Sequence, residues 1–453
     1  DGKCTAMSEH DFSEVGVPKA GGLGAPAVID HDIYWTVHGI VQGWTTVDGK
    51  PVAIVLDRTT YNHEVDSAVG FLRWANPAET YDVQSWMAGA EQIGYTFNWF
   101  YVDDQDIGYY ASGWDPVLPT GANPNLPIWG TAVSAPQPLL AASEHPHEID
   151  PAKGYFVSWN NKPAPEFSAA SNDYSMGPVQ RVQSIEQAIN AQLSAHGGKI
   201  TLANLVSAMA EAAVTDLDGR QVLPELLQFV RTHGGDPTSG VATMLSELGT
   251  WESDGTLRLK TNASAAQYED APAIAIMDEL EPLLVRALFD PIFAAGGVQS
   301  YDGTSSAYDV FPQQQLVATP NGGGAEQGDA YGGGFEGYVQ KLLDQLNGQT
   351  VVQPFTSAVT SHVCGAQGLA SCQSAVDGAL EAAYAALVKA NGGSTDVAGW
   401  TADTASSTAG VSMPDYDSIS FEATGIVGQP NIEWQNRPTF QQAVSFPSHR
   451  QRS

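Results

Sequence analysis

The feature that most narrows the fold is a change of hydrophobic period near Pro178. Upstream of it apolar and polar residues alternate, most clearly from Ala27 to Leu56 in AVIDHDIYWTVHGIVQGWTTVDGKPVAIVL. A period of two sends successive side chains to opposite faces of a pleated strand, so this stretch predicts paired strands. Asp48-Gly49 lies between two such runs and predicts a hairpin turn. Helical spacing follows at Glu64–Trp74 and Val83–Ile93, then strand-like segments at Phe97–Val102 and Ile107–Ala111 joined by the acidic turn DDQD. Asp115–Pro138 is rich in Pro, Gly and Asn and reads as a packed loop. A further strand is expected at Tyr155–Trp159, ending in the pair Asn160-Asn161.

Downstream of Pro178 the apolar residues recur every three or four positions. Val179, Val182, Ile185, Ile189 and Leu193 define a helix that stops at Gly197-Gly198, and Thr201 is a natural N-cap for a second helix through Val214. More helices are expected at Val222–Thr232, Ala273–Phe293, Gly337–Leu346 and Ser374–Ala390, with Pro282 predicting a kink or a break in the second of these. From Trp400 to Phe446 the pattern is again strand- and loop-like. The expected organisation is a β-rich portion at 1–177, a mainly helical region at 178–398 and C-terminal strands at 399–453. That order implies an α+β fold, or a layered α/β body carrying a helical insertion.

Charge excludes whole classes of partner. With 19 basic and 51 acidic residues the formal net charge is −32, and no Lys/Arg cluster interrupts it. Such a surface repels phosphate backbones and anionic lipid, so neither nucleic acid nor membrane is an expected partner. No apolar run approaches the ~20 residues that span a bilayer, and DGKCTAMSEHDF has none of the features of a signal peptide. Of the three cysteines, Cys364 and Cys372 bracket the short segment CGAQGLASC, which could close a small disulfide or hold two free thiols.

Few motifs carry chemistry. Residues 154–163, GYFVSWNNKP, place paired carboxamides beside loops. A fixed Asn NH₂ donates hydrogen bonds without adding charge and suits an oxyanion that exists only in the transition state. An Asn-Asn pair is equally an ordinary turn former, because Asn tolerates left-handed backbone. His145-Pro146-His147-Glu148 has the residue types of a metal site, but the proline and its acidic loop favour solvent-exposed side chains. His38 reads as a hydrogen-bonded histidine in a strand. The stretch NGGGAEQGDAYGGGFEGY from Asn321 lacks the Lys-Ser/Thr of a phosphate loop, and no G-x-S-x-G elbow occurs. Carboxylate pairs such as Asp103-Asp104 and Glu279-Glu281 are expected by chance among 51 acidic residues.

Taken in order, these segments resemble the penicillin acylase family of N-terminal-nucleophile hydrolases. YFVSWNNKPAP is similar to the family's W-N-N-x-P segment. Trp35-Thr36-Val37-His38-Gly39 resembles its W-R-T-V-H-G strand, and the Glu64–Phe71 segment resembles the helix that follows. Phe97-Asn98-Trp99-Phe100-Tyr101-Val102-Asp103 resembles I-N-W-Y-Y-A-D, with Ile107-Gly108-Tyr109 continuing as I-G-Y. Glu433-Trp434-Gln435-Asn436-Arg437 resembles the E-Y-Q-N-R near the end. Each motif alone is weak; their shared order is specific.

The resemblance implies part of a four-layer αββα fold with a helical insertion region. It implies hydrolysis of the acyl amide of penicillin-like or other N-acyl substrates. In that scheme an N-terminal Ser is activated by its own α-amino group and forms an acyl-enzyme. By motif position, Asn160 would supply the side-chain half of the oxyanion hole, Arg181 would orient it, and Phe97 would line the acyl pocket. Asp173 and the carbonyl of Pro124 would correspond to ligands of a structural calcium, an ion that suits oxygen donors. No cofactor is needed for the chemistry. The family opens its β-chain with Ser, whereas this sequence opens with Asp1 and resembles the family only from well inside the β-subunit. The expected partners are therefore an α-subunit and an N-terminal β segment, and this chain alone is expected to be inactive. The alternative is a non-catalytic relative that binds acyl ligands. The resemblance also implies a periplasmic or secreted protein, and with it favours the Cys364–Cys372 bridge.

Overall fold

The computed structural model describes residues 6–17, 27–122, 127–159, 161, 163–164, 179–259, 261, 268–296, 336–351, 354–355, 361–365, 368–401 and 443–446. The chain divides into two compact units. One comprises Asp1–Ser158, Lys162–Met176 and Phe446–Ser453; the other comprises Trp159–Asn161 and Gly177–Ser445. Strands lie in the first and helices dominate the second, an α+β arrangement.

The first unit opens with an antiparallel meander of β1 (Ser8–Val17), β2 (Ala27–Thr36), β3 (Gly39–Val47) and β4 (Lys50–Leu56). The expected hairpin is present. Val47 pairs with Lys50, and Asp48 and Gly49 adopt φ of 50° and 72°, the doubly positive turn that matches strand twist. The β2–β3 turn needs a true glycine. Gly39 has φ of +123°, and a Cβ there would stand 2.2 Å from the Leu56 carbonyl oxygen. His38 therefore sits in a turn, not in a strand as the alternation suggested, with its Nδ1 3.3 Å from Asp57 Oδ2.

Two short helices follow, α1 (Ala68–Ala75) and α2 (Val83–Ala90). Helix α1 begins four residues later than its periodicity suggests: residues 64–67 form turns, and the Ser67 hydroxyl accepts from Gly94 N–H at 2.9 Å. Helix α2 is fixed by reciprocal capping between Asp82 and Ser85. It ends at Ala90 because Gln92 and Ile93 turn back onto the Gly89 and Ala90 carbonyls. A second sheet of order β5-β6-β7 is built from Phe97–Val102, Ile107–Ser112 and His147–Ile149.

In the second unit, α3 (Val179–Ala195) and α4 (Leu202–Val214) match their expected spans, and Thr201 caps α4 as expected. They are followed by α5 (Leu217–Gln221), α6 (Leu223–His233), α7 (Ser239–Ser253), α8 (Ala271–Gly296), α9 (Glu336–Leu346) and α10 (Leu369–Ala390). Helix α8 runs through Pro282 and Pro291 without being split, its Ile274, Met277, Leu284 and Leu288 buried in a core shared with α6, α7, α9 and α10. Cys364 and Cys372 form a disulfide that ties the turn Val363–Gly365 to the first turns of α10.

Next to this core sits a buried ion cluster that the sequence does not announce. Arg258 is 1% exposed; its Nε donates to Asp216 Oδ2 at 2.6 Å and its Nη atoms engage both oxygens of Asp278. Asp216 also caps α5 by accepting from Gly219 N–H at 2.7 Å. Around the cluster the chain makes one antiparallel bridge, Thr215 to Leu257. No described helix is long and apolar enough to cross a membrane. The expected C-terminal strands, including Glu433–Arg437, lie outside the described residues.

Candidate functional site

The segment that leads to Asn160 is positioned by the β5–β6 hairpin. The six residue pairs from Phe97–Ser112 to Val102–Ile107 are in unbroken antiparallel register. The DDQD turn closes on Asp103, whose Oδ1 accepts from the backbone of Gln105 and Asp106 and whose Oδ2 accepts from the Tyr101 hydroxyl. Alternation gives the hairpin two faces. One carries Trp99, Tyr101 and Tyr110 against Trp74 and Trp86, with ring centroids 4.9 Å apart for Trp74–Trp99 and 5.5 Å for Trp86–Tyr101. Gly108 lets α2 approach, since a Cβ there would lie 2.6 Å from Val83 Cγ2.

The other face carries Asn98, Phe100 and Tyr109. Phe156 packs on it, 6.3 Å from Phe100 and 5.7 Å from Tyr109 between ring centroids. The Tyr109 hydroxyl donates to Asn98 Oδ1 at 2.5 Å, which leaves Asn98 Nδ2 to donate to Ser158 Oγ at 3.1 Å. Burial pushes the Tyr109 phenol up, so it remains a neutral donor. Residues 155–158 are not the strand expected from sequence. Both edges of β6 are already taken by β5 and β7, and this segment meets the sheet through side chains on its face.

Asn160 itself lies outside the described residues, but both its neighbours are placed. The Trp159 N–H donates to Asn161 Oδ1 at 2.9 Å, so the chain folds back across position 160. Arg181 falls in the first turn of α3, with its side chain outside the described residues. Asp173 and Pro124 also lie outside them. Among the described residues no group of three or more His, Cys, Asp or Glu could hold a metal ion. Phe97 is the first residue of β5, 55% exposed, with its ring against Tyr95 and Trp99. It projects from the face opposite to Asn98, so the hairpin does not bring its ring together with the Ser158 contact.

His145 differs from expectation. It is buried, its Nδ1 lying 3.0 Å from the Ala111 carbonyl oxygen and 3.7 Å from Asp115 Oδ2. The proline after it does not push it into solvent, because Ala111 N–H donates to the Pro146 carbonyl and draws the loop onto β6. Sequence reasoning also missed Asn98, Tyr109 and Ser158 as a unit. The available signal is an amide within the aromatic strand FNWFYV, a residue type that strands disfavour.

Comparison with known proteins agrees with this arrangement. The profile of the penicillin amidase family matches residues 1–451. Penicillin G acylase of Escherichia coli is 25% identical over 285 residues, covering 59% of this chain and 32% of that protein. The solved structure of a thermostable penicillin G acylase from Alcaligenes faecalis, in an orthorhombic form, superposes with a TM-score of 0.62 at 20% identity. It covers 88% of this chain and 63% of that one, a likeness of fold. The chain thus spans about a third of the length of its curated relative. With nearly every residue inside the family match and the motifs in family order, the chain belongs to the penicillin amidase family.

Proposed function

We propose that the complete protein containing this chain hydrolyses the acyl amide of penicillin-like or other N-acyl substrates, with Asn160 as the side-chain donor of the oxyanion hole. The observation that carries this reading is the family match along residues 1–451, within which the paired Asn follows an anchored Ser158. A nucleophilic N-terminal Ser would come from a β segment outside this sequence, and an α-subunit would complete the pocket. The Ser oxygen attacks the amide carbonyl while the α-amine takes its proton. The carbonyl oxygen becomes an oxyanion next to the Asn160 carboxamide. Collapse breaks the C–N bond, the proton passes to the leaving amine, and water then cleaves the ester. Arg181 orients the carboxamide, and Phe97 contributes to acyl selection from its exposed position.

The same reading assigns the chain to a four-layer αββα body with a helical insertion, divided near residues 177 and 398. It assigns a structural calcium to Asp173 and the Pro124 carbonyl, and a periplasmic or secreted location, for which the Cys364–Cys372 bridge is supporting chemistry. The test is Asn160→Ala in the complete protein, assayed with chromogenic phenylacetyl and fatty-acyl amides. Turnover is expected to fall by at least ~100-fold. Unchanged turnover removes Asn160 from the mechanism.

A further inference from the structure

We propose that Tyr109 and Asn98 are positioning residues for the oxyanion asparagine, acting through Ser158. The inference rests on the reading of Asn160 given above. It starts from an anomaly in the strand. Asn98 stands between aromatic residues in β5, where an apolar side chain would satisfy the sheet at least as well. Both ends of its amide are used: Oδ1 accepts from the Tyr109 hydroxyl and Nδ2 donates to Ser158 Oγ. Tyr109 thereby fixes which way the amide points, and the amide fixes Ser158.

Ser158 is two residues before Asn160. Two peptide units span at most ~7 Å, so a pin at Ser158 confines where the Asn160 backbone can lie. On the other side, Asn161 Oδ1 holds the Trp159 N–H. The catalytic carboxamide is thus bracketed by a hydrogen bond to the sheet and by one within its own turn. Stacking of Phe156 on Phe100 and Tyr109 places the segment on the sheet face, but ring contacts slide easily. The two directional hydrogen bonds supply the finer register. Misplacement of a reacting group by ~1 Å can cost on the order of 10²-fold in rate.

The experiment is a mutant cycle in the complete protein: Tyr109→Phe, Ser158→Ala, Asn160→Ala and the double variants Tyr109→Phe/Asn160→Ala and Ser158→Ala/Asn160→Ala. Each is assayed for kcat and KM on a phenylacetyl anilide, with thermal melting alongside. Tyr109→Phe and Ser158→Ala should each lower kcat about 10- to 100-fold. KM and melting temperature should hardly move. Neither should lower kcat further in the Asn160→Ala background, since each acts only through that residue. If Asn160→Ala abolishes turnover while both other single variants keep wild-type kcat, the positioning role is wrong and the oxyanion reading stands. A full additional loss in either double variant also overturns the positioning role. If Asn160→Ala itself leaves kcat intact, the oxyanion reading fails and this inference with it.

Discussion

Replacing Arg258 by Met tests how the helical unit carries a charge cluster in its interior. The guanidinium bridges Asp216 and Asp278, and the side chains of Arg258 and Asp216 are fully buried while that of Asp278 is 11% exposed. Removing the cation leaves two carboxylates out of water with no counter-charge nearby. Breaking a buried pair in this way costs roughly 3–5 kcal/mol, more than the pair itself contributes over an apolar replacement. The pH dependence follows from Asp278. Burial raises its carboxyl to about 6 even though Arg258 pulls the other way. Without Arg258 the folded-state value climbs further while the unfolded value stays ordinary. The added penalty therefore appears as the pH rises through about 6 and is relieved below it, where the carboxyl is protonated in either variant. Hydrogen exchange of peptides covering α5 and residues 256–259 reads this directly, because Gly219 N–H donates to Asp216 and Arg258 N–H to Val214. At pH 8 the opening constant of these amides should rise roughly 10²- to 10⁴-fold in Arg258→Met. At pH 5 the increase should be much smaller. A change below tenfold at pH 8, or equal changes at both pH values, would refute an ionised, mutually dependent cluster.

Two further outcomes concern the same unit. Burial, and then the neighbouring Glu225 carboxylate, raise Asp344 from 3.8 to about 6. A raised carboxyl makes ionisation costly in the folded state, so stability is complete below the unfolded value and falls as the pH climbs towards about 6. Asp344→Asn should therefore raise the melting temperature at pH 7.5 and leave it unchanged at pH 3.5; a lower melting temperature at pH 7.5 would contradict the assignment. Reducing the Cys364–Cys372 bridge, which closes a sequence separation of 8, should cost about 2–3 kcal/mol in the chain-entropy treatment. Urea midpoints of the helical unit with and without reductant measure it, and coincident curves would show that the bridge adds nothing to stability.

Period and punctuation were enough to locate most elements. The Asp48-Gly49 hairpin, the strands at Phe97–Val102 and Ile107–Ser112 and the Thr201-capped helix follow from local patterns, because each is decided by neighbours in the chain. Helix α7 carries Val241, Met244, Leu248 and Trp251 at helical spacing, yet its glycines blur the pattern in isolation. Residues 155–158 have strand composition, but whether they join a ladder depended on which edges of β6 were free. That is a property of the sheet and not of the segment.

For the site, the order of the motifs along the chain determined the family and singled out Asn160, since shared order survives when each motif alone is weak. Only the tertiary structure decided what surrounds that residue. Asn98, Tyr109 and Ser158 are drawn together by antiparallel register and by the return of the chain across the sheet face. Arg258, Asp216 and Asp278 meet through a single bridge between distant segments. Hydrophobic periodicity records which face of an element is buried; it carries no record of which polar side chains meet, because that depends on contacts between residues far apart in sequence.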